Sequence, residues 1–338
     1  MTGRALRWLM SLGYRGARRG DDGDAPRLTI IRHHRVYADR ERPLYRLGVS
    51  ESVFAAQVTL LAREGLVPIT AAEGWRRLRA GSPGHHVAMT FDDGYADNVW
   101  RAMARLQDVG ARATFYLTSG LIETRRAPWW DELAFALERT HEPRLEVEIG
   151  GRRIDQPLRT RGERLQALHA VGTALRVPPV ERDQRLAAVR LRLGVSETAP
   201  CELANWDTAT ALVRSGMEVG AHTLTHPLLS VLPAEDQSRE IEGSMELIEE
   251  RLGVTPTGLA YPGGDHDART VEAARGAGLA YAVTTRAGDN GVEASPFELR
   301  RRGLSEGACL GPAGFSNRLA LAELDGAFDG LRRTEAAS

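Results

Sequence analysis

Residues 85–94, HHVAMTFDDG, place two adjacent carboxylates directly after a short apolar run. Neighbouring side chains on a strand point to opposite faces, so a strand through both aspartates would separate them. If the strand ends at Phe91, Asp92 and Asp93 can both lie on the loop above a sheet and converge on one point. Two adjacent carboxylates repel each other. The rest of the sequence should therefore supply a positive partner for this pair.

Strand and helix patterns alternate along the chain around this stretch. Apolar residues at three- and four-residue spacing predict helices, for example one through Phe54, Val58 and Leu61. Short apolar runs predict strands at residues 28–31, 85–91, 113–118, 217–223, 257–262 and 279–285. This alternation predicts an α/β fold with a parallel sheet, and the number of units favours a (β/α)7-like barrel with its chemistry at the carboxyl ends of the strands. An open doubly wound sheet is the alternative, but no G-x-G-x-x-G motif follows the first strand.

The alternation is interrupted between residues 129 and 203. Two tryptophans begin this segment, a short alternating stretch (RLEVEI, 144–149) follows, and arginine-rich helical patterns fill the rest. We interpret it as a largely helical insertion rather than another barrel repeat. The predicted division is a basic N-terminal tail and linker (1–26), one main domain that contains the insertion (27–330) and a C-terminal tail (331–338).

Composition limits the possible chemistry. The chain has 338 residues, 42% hydrophobic and 26% charged, which is typical of a soluble globular protein. Its formal net charge of -1 gives no general attraction to nucleic acid, which we do not expect as a partner. All 44 basic residues are arginine, which excludes Schiff-base, pyridoxal-phosphate and P-loop mechanisms. Cys201 and Cys309 match no zinc spacing and do not suggest a disulfide framework, which favours a cytoplasmic compartment.

The N-terminal segment RALRWLMSLGYRGARR (4–19) contains one apolar run, Trp8-Leu9-Met10. This run is too short for a signal sequence or a membrane span. We expect a solvated tail there, and a small basic amphipathic helix that touches a membrane surface is the alternative. The predicted location is cytoplasmic with at most peripheral membrane contact, and the sequence leaves the oligomeric state open.

Two further polar groups follow predicted strands, HTLTH (222–226) and YPGG (261–264). The β-branched threonines and Pro227 disfavour a helix, so we place HTLTH on a loop with both imidazoles turned inward. Two neutral imidazoles and one carboxylate leave an open fourth position, as in catalytic zinc sites. One aspartate would then bind the metal while the other acts as a base. Each motif alone is weak, because DDG is usually a turn or a helix N-cap, as we also interpret Asp97.

Taken together, these motifs resemble those of a known family, the polysaccharide deacetylases (carbohydrate esterase family four, with a NodB homology domain). The segments that carry the resemblance are TFDDGYADN (90–98), VGAHTLTHPLLS (219–230) and AYPGGDHD (260–267). Two more segments, IIRHHRV (30–36) and WWDEL (129–133), are similar to the branch of that family with an N-terminal YHRV-type motif. The resemblance covers roughly residues 28–302. It implies a distorted β/α barrel that hydrolyses N-acetyl or O-acetyl groups on sugars with a bound divalent metal.

The resemblance also implies roles for individual positions. Asp92 matches the catalytic base. Three residues match the metal ligands: Asp93, His222 and His226. The backbone N–H of Gly263, after Tyr261 and Pro262, matches the position that helps to hold the oxyanion. Zinc is the expected ion, and cobalt, nickel and iron suit the same ligands.

The chain departs from the family pattern in two places. Many members have an arginine two residues before the proline of the third motif, and this arginine orients the base. Here that position is Ala260, so Asp92 has no assigned partner. The run Arg300–Arg302 could orient Asp92 or an acidic substrate group, but we expect it to form a solvated barrel edge. Many members also carry a C-terminal leucine-histidine motif that supplies the general acid, whereas no histidine follows His266.

The N-terminal histidine of the YHRV-type branch is similar in role to that missing acid. His34 matches it, and we predict His34 as the general acid with His266 as the reserve candidate. His33 takes the tyrosine position and should point elsewhere by strand alternation. We expect solvated loops around His266 and the other four histidines, His85, His86, His141 and His169.

The sequence therefore predicts a hydrolase that removes an N-acetyl or similar acyl group from an acetamido sugar or glycan intermediate. A metal-bound water would attack, Asp92 would act as base and His34 as acid. Trp129 and Trp130 could form a wall of the substrate cleft or pack the insertion onto the barrel. A lipid-linked or nucleotide-linked sugar would fit a cytoplasmic enzyme. Two alternatives stay open: a C–N hydrolase acting on a non-sugar amide, and a catalytically silent glycan-binding protein on the same fold.

Overall fold

The computed structural model describes residues 7, 8, 10, 11 and 25–329. Most of the predicted basic tail and all of residues 331–338 lie outside the described residues. Within the described part of the chain, no helix combines the length and the apolar character that a membrane span requires.

The described residues form thirteen strands and twelve α-helices. The strands are β1 (Arg27–His33), β2 (Arg35–Tyr37), β3 (Gly48–Ser50), β4 (His85–Phe91), β5 (Thr114–Leu117), β6 (Arg144–Ile149), β7 (Arg152–Pro157), β8 (Glu218–Ala221), β9 (Gly258–Ala260), β10 (Tyr281–Val283), β11 (Arg302–Gly303), β12 (Leu310–Gly311) and β13 (Gly314–Phe315). The α-helices are α1 (Glu51–Arg63), α2 (Ala71–Arg79), α3 (Ala104–Gln107), α4 (Ser119–Thr124), α5 (Trp129–Arg139), α6 (Arg161–Ala174), α7 (Pro179–Arg192), α8 (Trp206–Arg214), α9 (Ala234–Leu252), α10 (Ala268–Gly276), α11 (Glu306–Cys309) and α12 (Asn317–Leu324). A π-helical turn, Asn98–Met103, leads into α3.

Seven of the strands form one curled parallel sheet in the order β10-β9-β8-β5-β4-β1-β11. Val283 at the end of β10 makes a further parallel bridge to Leu299, shortly before β11, so the sheet curls back toward its opposite edge. The predicted parallel, (β/α)7-like barrel is therefore confirmed as a curled sheet with flanking helices. The sequence pattern does not predict β2, β3 or β11, each of which is only two or three residues long.

Both faces of this sheet are covered. The apolar side chains of β4 are buried continuously from Val87 to Phe91, as expected for a parallel strand with neighbours on both faces. Consecutive residues of one strand enter different apolar clusters: Phe115 belongs to one and Tyr116 to the other. The core thus follows the strand alternation, and polar side chains are left to the strand ends.

Residues 129–203 lie between β5 and β8 and have an apolar cluster of their own. The cluster includes Leu133 of α5, Leu168 of α6 and Val189 of α7. The predicted alternating stretch is β6, whose residues are exposed and buried in turn, and it pairs with β7 as an antiparallel hairpin. This separate core supports the interpretation of the segment as an insertion.

The parallel direction of the strands brings the carboxyl ends of all seven to one edge of the sheet. The backbone there is held by extensions of the strand ladder. The Asp92 N–H donates to the His33 carbonyl at 3.0 Å, and the His222 N–H donates to the Leu117 carbonyl at 3.0 Å. The loops after β1, β4 and β8 therefore begin side by side, and each carries a polar motif.

Candidate active site

Asp93, His222 and His226 converge at this edge. Their potential ligand atoms all lie within 4.8 Å of one another. The Asp93 Oδ1 atom is 3.3 Å from His222 Nε2 and 3.5 Å from His226 Nε2. HTLTH follows β8 on a loop with both imidazoles facing the aspartate, as the sequence predicts.

The tautomer of His222 is fixed by a backbone carbonyl. His222 Nδ1 lies 2.6 Å from the Ala260 oxygen, which can only accept, so Nδ1 carries the proton. In the neutral ring the Nε2 lone pair then faces the Asp93 carboxylate. The Nε2 lone pair and the carboxylate oxygen repel each other unless a cation lies between them. Histidines that bind a metal through one ring nitrogen typically donate the N–H of the other nitrogen to a protein acceptor. The chemistry of this donor set fits a divalent metal ion.

The backbone around the site adopts a left-handed conformation at three positions, which residues other than glycine rarely do. Asp93, Thr223 and His226 have φ values of 73°, 64° and 55°. Such left-handed residues persist only where their surroundings enforce them. Glu240 of α9 helps to hold this backbone, because its carboxylate accepts hydrogen bonds from the backbone N–H groups of Leu224 and Thr225 at 2.9 Å each.

Asp92 has a partner that the sequence interpretation rejected. Arg301 donates from both terminal nitrogens to the two oxygens of Asp92, at 2.6 and 2.8 Å. The expectation of a solvated edge at Arg300–Arg302 is wrong for two of the three residues, because Arg301 is 2% exposed and Arg302 is 3% exposed. Arg302 instead pairs with Asp289 and Asp329. Arg301 thus supplies the partner of Asp92 that the sequence left unassigned at Ala260, and it directly precedes β11, whereas Ala260 ends β9.

The two aspartates have depressed pKa values for different reasons. Burial opposes ionisation of Asp92, but the Arg301 guanidinium outweighs burial and holds its pKa at about 2. Burial also opposes ionisation of Asp93, but hydrogen bonds donated by His222 and His226 when their rings are protonated hold its pKa well below the usual range. Both side chains are therefore carboxylates at neutral pH, as a base and a metal ligand require.

His34 faces the same site, whereas His33 does not. His34 Nε2 lies 3.9 Å from Asp92 Oδ2, and burial lowers the pKa of His34. His33 points into the core, where its ring stacks on Phe91 with the centroids 5.5 Å apart. His266 stacks on Tyr261 and does not line the cavity at this edge.

The other histidines are only partly as expected. His141 is exposed. His85 is not in a solvated loop, because it begins β4 and lies within hydrogen-bond distance of Arg27 and Thr29. His86 also belongs to β4, and His169 is on α6 at the cavity wall.

Trp130 combines both roles that the sequence left open for the tryptophans. Its ring lies 4.3 Å from that of His226, measured between centroids, and its indole N–H donates to the Tyr95 hydroxyl at 2.8 Å. Tyr95 in turn donates to Asp131 at 2.9 Å, and burial raises the pKa of Asp131 to about 7. Trp129 lines the cavity and also packs against the core of the insertion.

Asp97 occupies the N-cap position that the sequence suggests, before the π-helical turn, but its side chain does not cap that turn. Its side chain makes no capping bond and is 5% exposed. It accepts from Arg35 Nε at 2.7 Å and from the Val36 N–H at 3.2 Å. The guanidinium of Arg35 also lies over the Tyr95 ring, 4.5 Å from its centroid. Arg35 therefore connects the segment after β1 to the residues beneath Trp130.

The YPGG motif (261–264) contributes one residue to the cavity. Gly263 lines it with a φ of 62°, and a Cβ atom there would come within 3.2 Å of Leu228. Tyr261, in contrast, is fully buried and donates its hydroxyl to the Phe297 carbonyl at 3.1 Å. Pro262 is buried beside it and also does not line the cavity. Glycine is thus required at 263 by the turn, and Tyr261 and Pro262 shape that turn from the core.

These residues open into one cavity of about 830 Å³. The barrel contributes His34, both aspartates and the two histidines of the loop after β8. The insertion contributes the opposite wall, including Trp129, Leu168 and Arg182. A chamber of this size accommodates a sugar unit rather than water alone.

Comparisons with known proteins agree with this geometry. The sequence profile named Polysaccharide deacetylase matches residues 79–148 and 168–282. Chitin deacetylase 1 of Cryptococcus neoformans is 31% identical over 101 residues, which is 30% of this chain and 21% of that protein. The chain therefore matches only about a fifth of the length of this relative.

Solved structures share the fold at low sequence identity. The Streptococcus pyogenes deacetylase PplD in complex with acetate has a TM-score of 0.60 at 18% identity, covering 89% of this chain and 99% of that one. IcaB from Ammonifex degensii has a TM-score of 0.53 at 20% identity, covering 83% and 92%. The profile match extends over more than half of the chain, and the protein belongs to the polysaccharide deacetylase family.

Replacing Arg301 with methionine should destabilise the protein by about 3–5 kcal/mol at neutral pH, because Asp92 would stay buried without its cation. Burial would then raise the pKa of Asp92 above its unfolded value. A carboxyl group with a raised pKa favours folding at low pH and loses that contribution as pH rises. The loss measured by urea denaturation should therefore shrink under acidic conditions.

Arg300→Met is the matched control, because Arg300 is the exposed neighbour. It should change the free energy of unfolding little. An Arg301→Met loss that is the same at neutral and acidic pH would contradict the electrostatic account and indicate packing alone.

Proposed function

We propose that this protein is a metal-dependent hydrolase that removes an N-acetyl or similar acyl group from an acetamido sugar of a glycan or glycan intermediate. The supporting observation is the Asp93, His222 and His226 cluster next to an ionised aspartate held by Arg301. The chitin deacetylase relative and the shared deacetylase fold support the choice of an acylated sugar.

Asp93, His222 and His226 would hold the metal ion, and zinc suits one carboxylate and two imidazoles best. Cobalt, nickel and iron suit the same ligands. A divalent ion in such a site supplies Lewis acidity, which activates water and polarises a carbonyl. The Ala260 carbonyl keeps His222 in the tautomer that presents Nε2 to the ion.

Asp92 takes the proton of the attacking water. Its carboxylate is ionised because Arg301 lowers its pKa to about 2, and the same two bonds fix its orientation. A base held in one orientation loses little entropy when the substrate arrives. Arg301 is thus a positioning residue, since it acts through Asp92 rather than on the substrate.

His34 protonates the departing amine. Its Nε2 lies 3.9 Å from Asp92 Oδ2, so base and acid flank the same point. Burial lowers the pKa of His34, which leaves the ring neutral before the reaction at neutral pH. The proton that His34 delivers therefore originates from the attacking water and reaches it from Asp92. The products are a free amino sugar and the carboxylic acid.

The N–H of Gly263 stabilises the negative charge that develops on the acyl oxygen. Gly263 lines the cavity in a turn that only glycine fits easily, which leaves its backbone accessible to the substrate. A donor fixed in this way contributes about 3 kcal/mol to stabilising the transition state in comparable enzymes. Trp129 offers an aromatic face to the sugar on the opposite wall.

Metal content is the first test. Purified protein supplied with zinc should retain about one equivalent of divalent metal per chain, as the three-ligand site among the described residues implies. His222→Ala should lose it, and the exposed His141→Ala should retain it. Absence of metal from the wild type after zinc is supplied would contradict the proposal. Bound metal without hydrolysis of any acylated amine would instead favour a silent glycan-binding protein.

Asp92→Asn should retain the metal and lose turnover by about 10²–10⁴-fold, the usual contribution of a positioned base. The measurement is release of free amine from a chitin oligomer together with metal content. An Asp92→Asn protein that stays active with its metal bound would show that another group is the base.

The assignment of His34 predicts a dependence on the leaving group. His34→Ala should slow hydrolysis of an acetamido sugar by about 10²-fold or more, because an amine leaves only when protonated. Hydrolysis of 4-nitrophenyl acetate should fall much less, because nitrophenolate leaves without a proton. His266→Gln is the matched control and should affect neither rate. Equal losses on both substrates, or a selective loss in His266→Gln, would reject the assignment.

A further inference from the structure

Arg32 is a cation without a partner in the cavity wall. It lies near the end of β1, two residues before His34, and lines the cavity. Among the residues that the structure describes, it is the one partly buried arginine whose side chain makes no hydrogen bond or ion pair. Removing a guanidinium from water is costly unless something compensates its charge. Burial accordingly lowers the pKa of Arg32.

The two nearby carboxylates favour the positive charge of Arg32 only from a distance. Asp92 already accepts both terminal nitrogens of Arg301, and Asp93 faces the two imidazoles. Neither forms an ion pair with Arg32. These two aspartates are the only carboxylates of the cavity wall within the described part of the chain. The donors of Arg32 therefore remain available to something that enters the cavity.

Tyr45 provides a second available donor beside Arg32. It lines the same cavity, and its hydroxyl makes no hydrogen bond to any described residue. Burial raises the pKa of Tyr45 to about 12; Asp93 and Asp131 add to this rise, and Arg32 and Arg176 oppose it. Tyr45, Arg32 and Arg176 all line the same cavity.

The insertion adds positive charge from the other side. Arg176 follows α6 and Arg182 belongs to α7, and both line the cavity. Arg182 is partly engaged, because its Nε donates to Asp183 at 3.2 Å. Arg176 is exposed and makes no ion pair with a described residue. The cavity wall thus contains three arginines, Arg32, Arg176 and Arg182, and two carboxylates that already have other partners.

We propose that Arg32, Tyr45 and Arg176 form an anion subsite, and that the substrate carries an oxyanion on or next to the acylated sugar. A guanidinium matches the planar oxygen pairs of both phosphate and carboxylate, and the Tyr45 hydroxyl adds a neutral donor. A glycan without charge offers only hydroxyl and amide groups, which would leave the partly buried guanidinium of Arg32 without a counter-ion. The subsite rests on the proposed function for its place beside the acyl group, but anion binding itself requires no hydrolysis.

Three probes with one acetamido sugar separate the possible sources of the anion. They are methyl N-acetylglucosaminide, which is neutral, N-acetylglucosamine 1-phosphate, and the uronate of the neutral glycoside. Binding is measured by calorimetry on metal-loaded protein in the His34→Ala background, where hydrolysis is slow and Asp92 keeps its charge and its pair with Arg301. At least one charged probe should bind about tenfold more tightly than the neutral one. Preference for the phosphate or for the carboxylate identifies the class of anion.

Arg32→Gln should reduce that preference by about tenfold, and Arg32→Lys should restore part of it. Arg40→Gln removes an exposed arginine outside the cavity and should leave the preference unchanged. If Arg32→Gln folds poorly, Arg176→Gln takes its place at an exposed position, with a smaller loss expected. Equal binding of all three probes would overturn the subsite. So would a charged-probe preference that survives both substitutions, since the metal would then be the anion's partner. Neither result would affect the metal-content and leaving-group tests of the proposed hydrolase.

Discussion

The buried ion pair between Arg301 and Asp92 connects the architecture of this protein to its chemistry. Besides its two bonds to Asp92, Arg301 donates to the Thr284 carbonyl after β10 and to the Thr90 hydroxyl on β4. One guanidinium therefore joins the two edges of the curled sheet across the mouth of the barrel. Fully buried pairs of this kind add little net stability, but a single missing partner leaves a charge stranded in the core. The orientation of Asp92, the proposed base, and the closure of the sheet consequently depend on the same contact.

The residues of the proposed metal site are held by several layers of contacts. Ala260 orients His222 through its carbonyl, and Glu240 fixes the backbone of the loop that carries His226. Trp130 covers His226 from the side of the insertion, and Tyr95 connects Trp130 to Asp131. The insertion thus both supports the site and forms the outer wall of the cavity. Substrate selection is expected to lie in that wall, because the barrel residues set the reaction.

Charge distribution distinguishes this cavity from the chain as a whole. The protein is nearly neutral, with a formal net charge of -1 and a mean hydropathy of -0.31. Many of its described arginines pair with acidic residues at the surface, for example Arg76 with Glu73 and Arg239 with Glu235, where such pairs contribute little to stability. Arg32 differs because it is partly buried and has no such partner among the described residues. A cavity that contains this guanidinium favours an anionic ligand, because the positive potential of a partly buried arginine is less screened than that of an arginine in water.

The sequence by itself determined the elements that depend on local pattern. Continuous apolar runs identify β1 and β4, regular spacing identifies α9, and the order of strands and helices implies a parallel sheet. Parallel strands end at one edge, so the placement of Asp93, His222 and His226 together follows from chain order and motif position. Local alternation was also enough to direct His33 into the core and His34 to the cavity.

Only the tertiary structure decided which charged side chains are buried and with which partners. Arg301 contacts an aspartate 209 residues away in the chain, and nothing local distinguishes it from the exposed Arg300. Asp97 resembles a helix cap in sequence, but its partner is Arg35, 62 residues earlier. Burial of a charge depends on whether a counter-charge arrives through the fold, and the sequence around either residue does not contain that information.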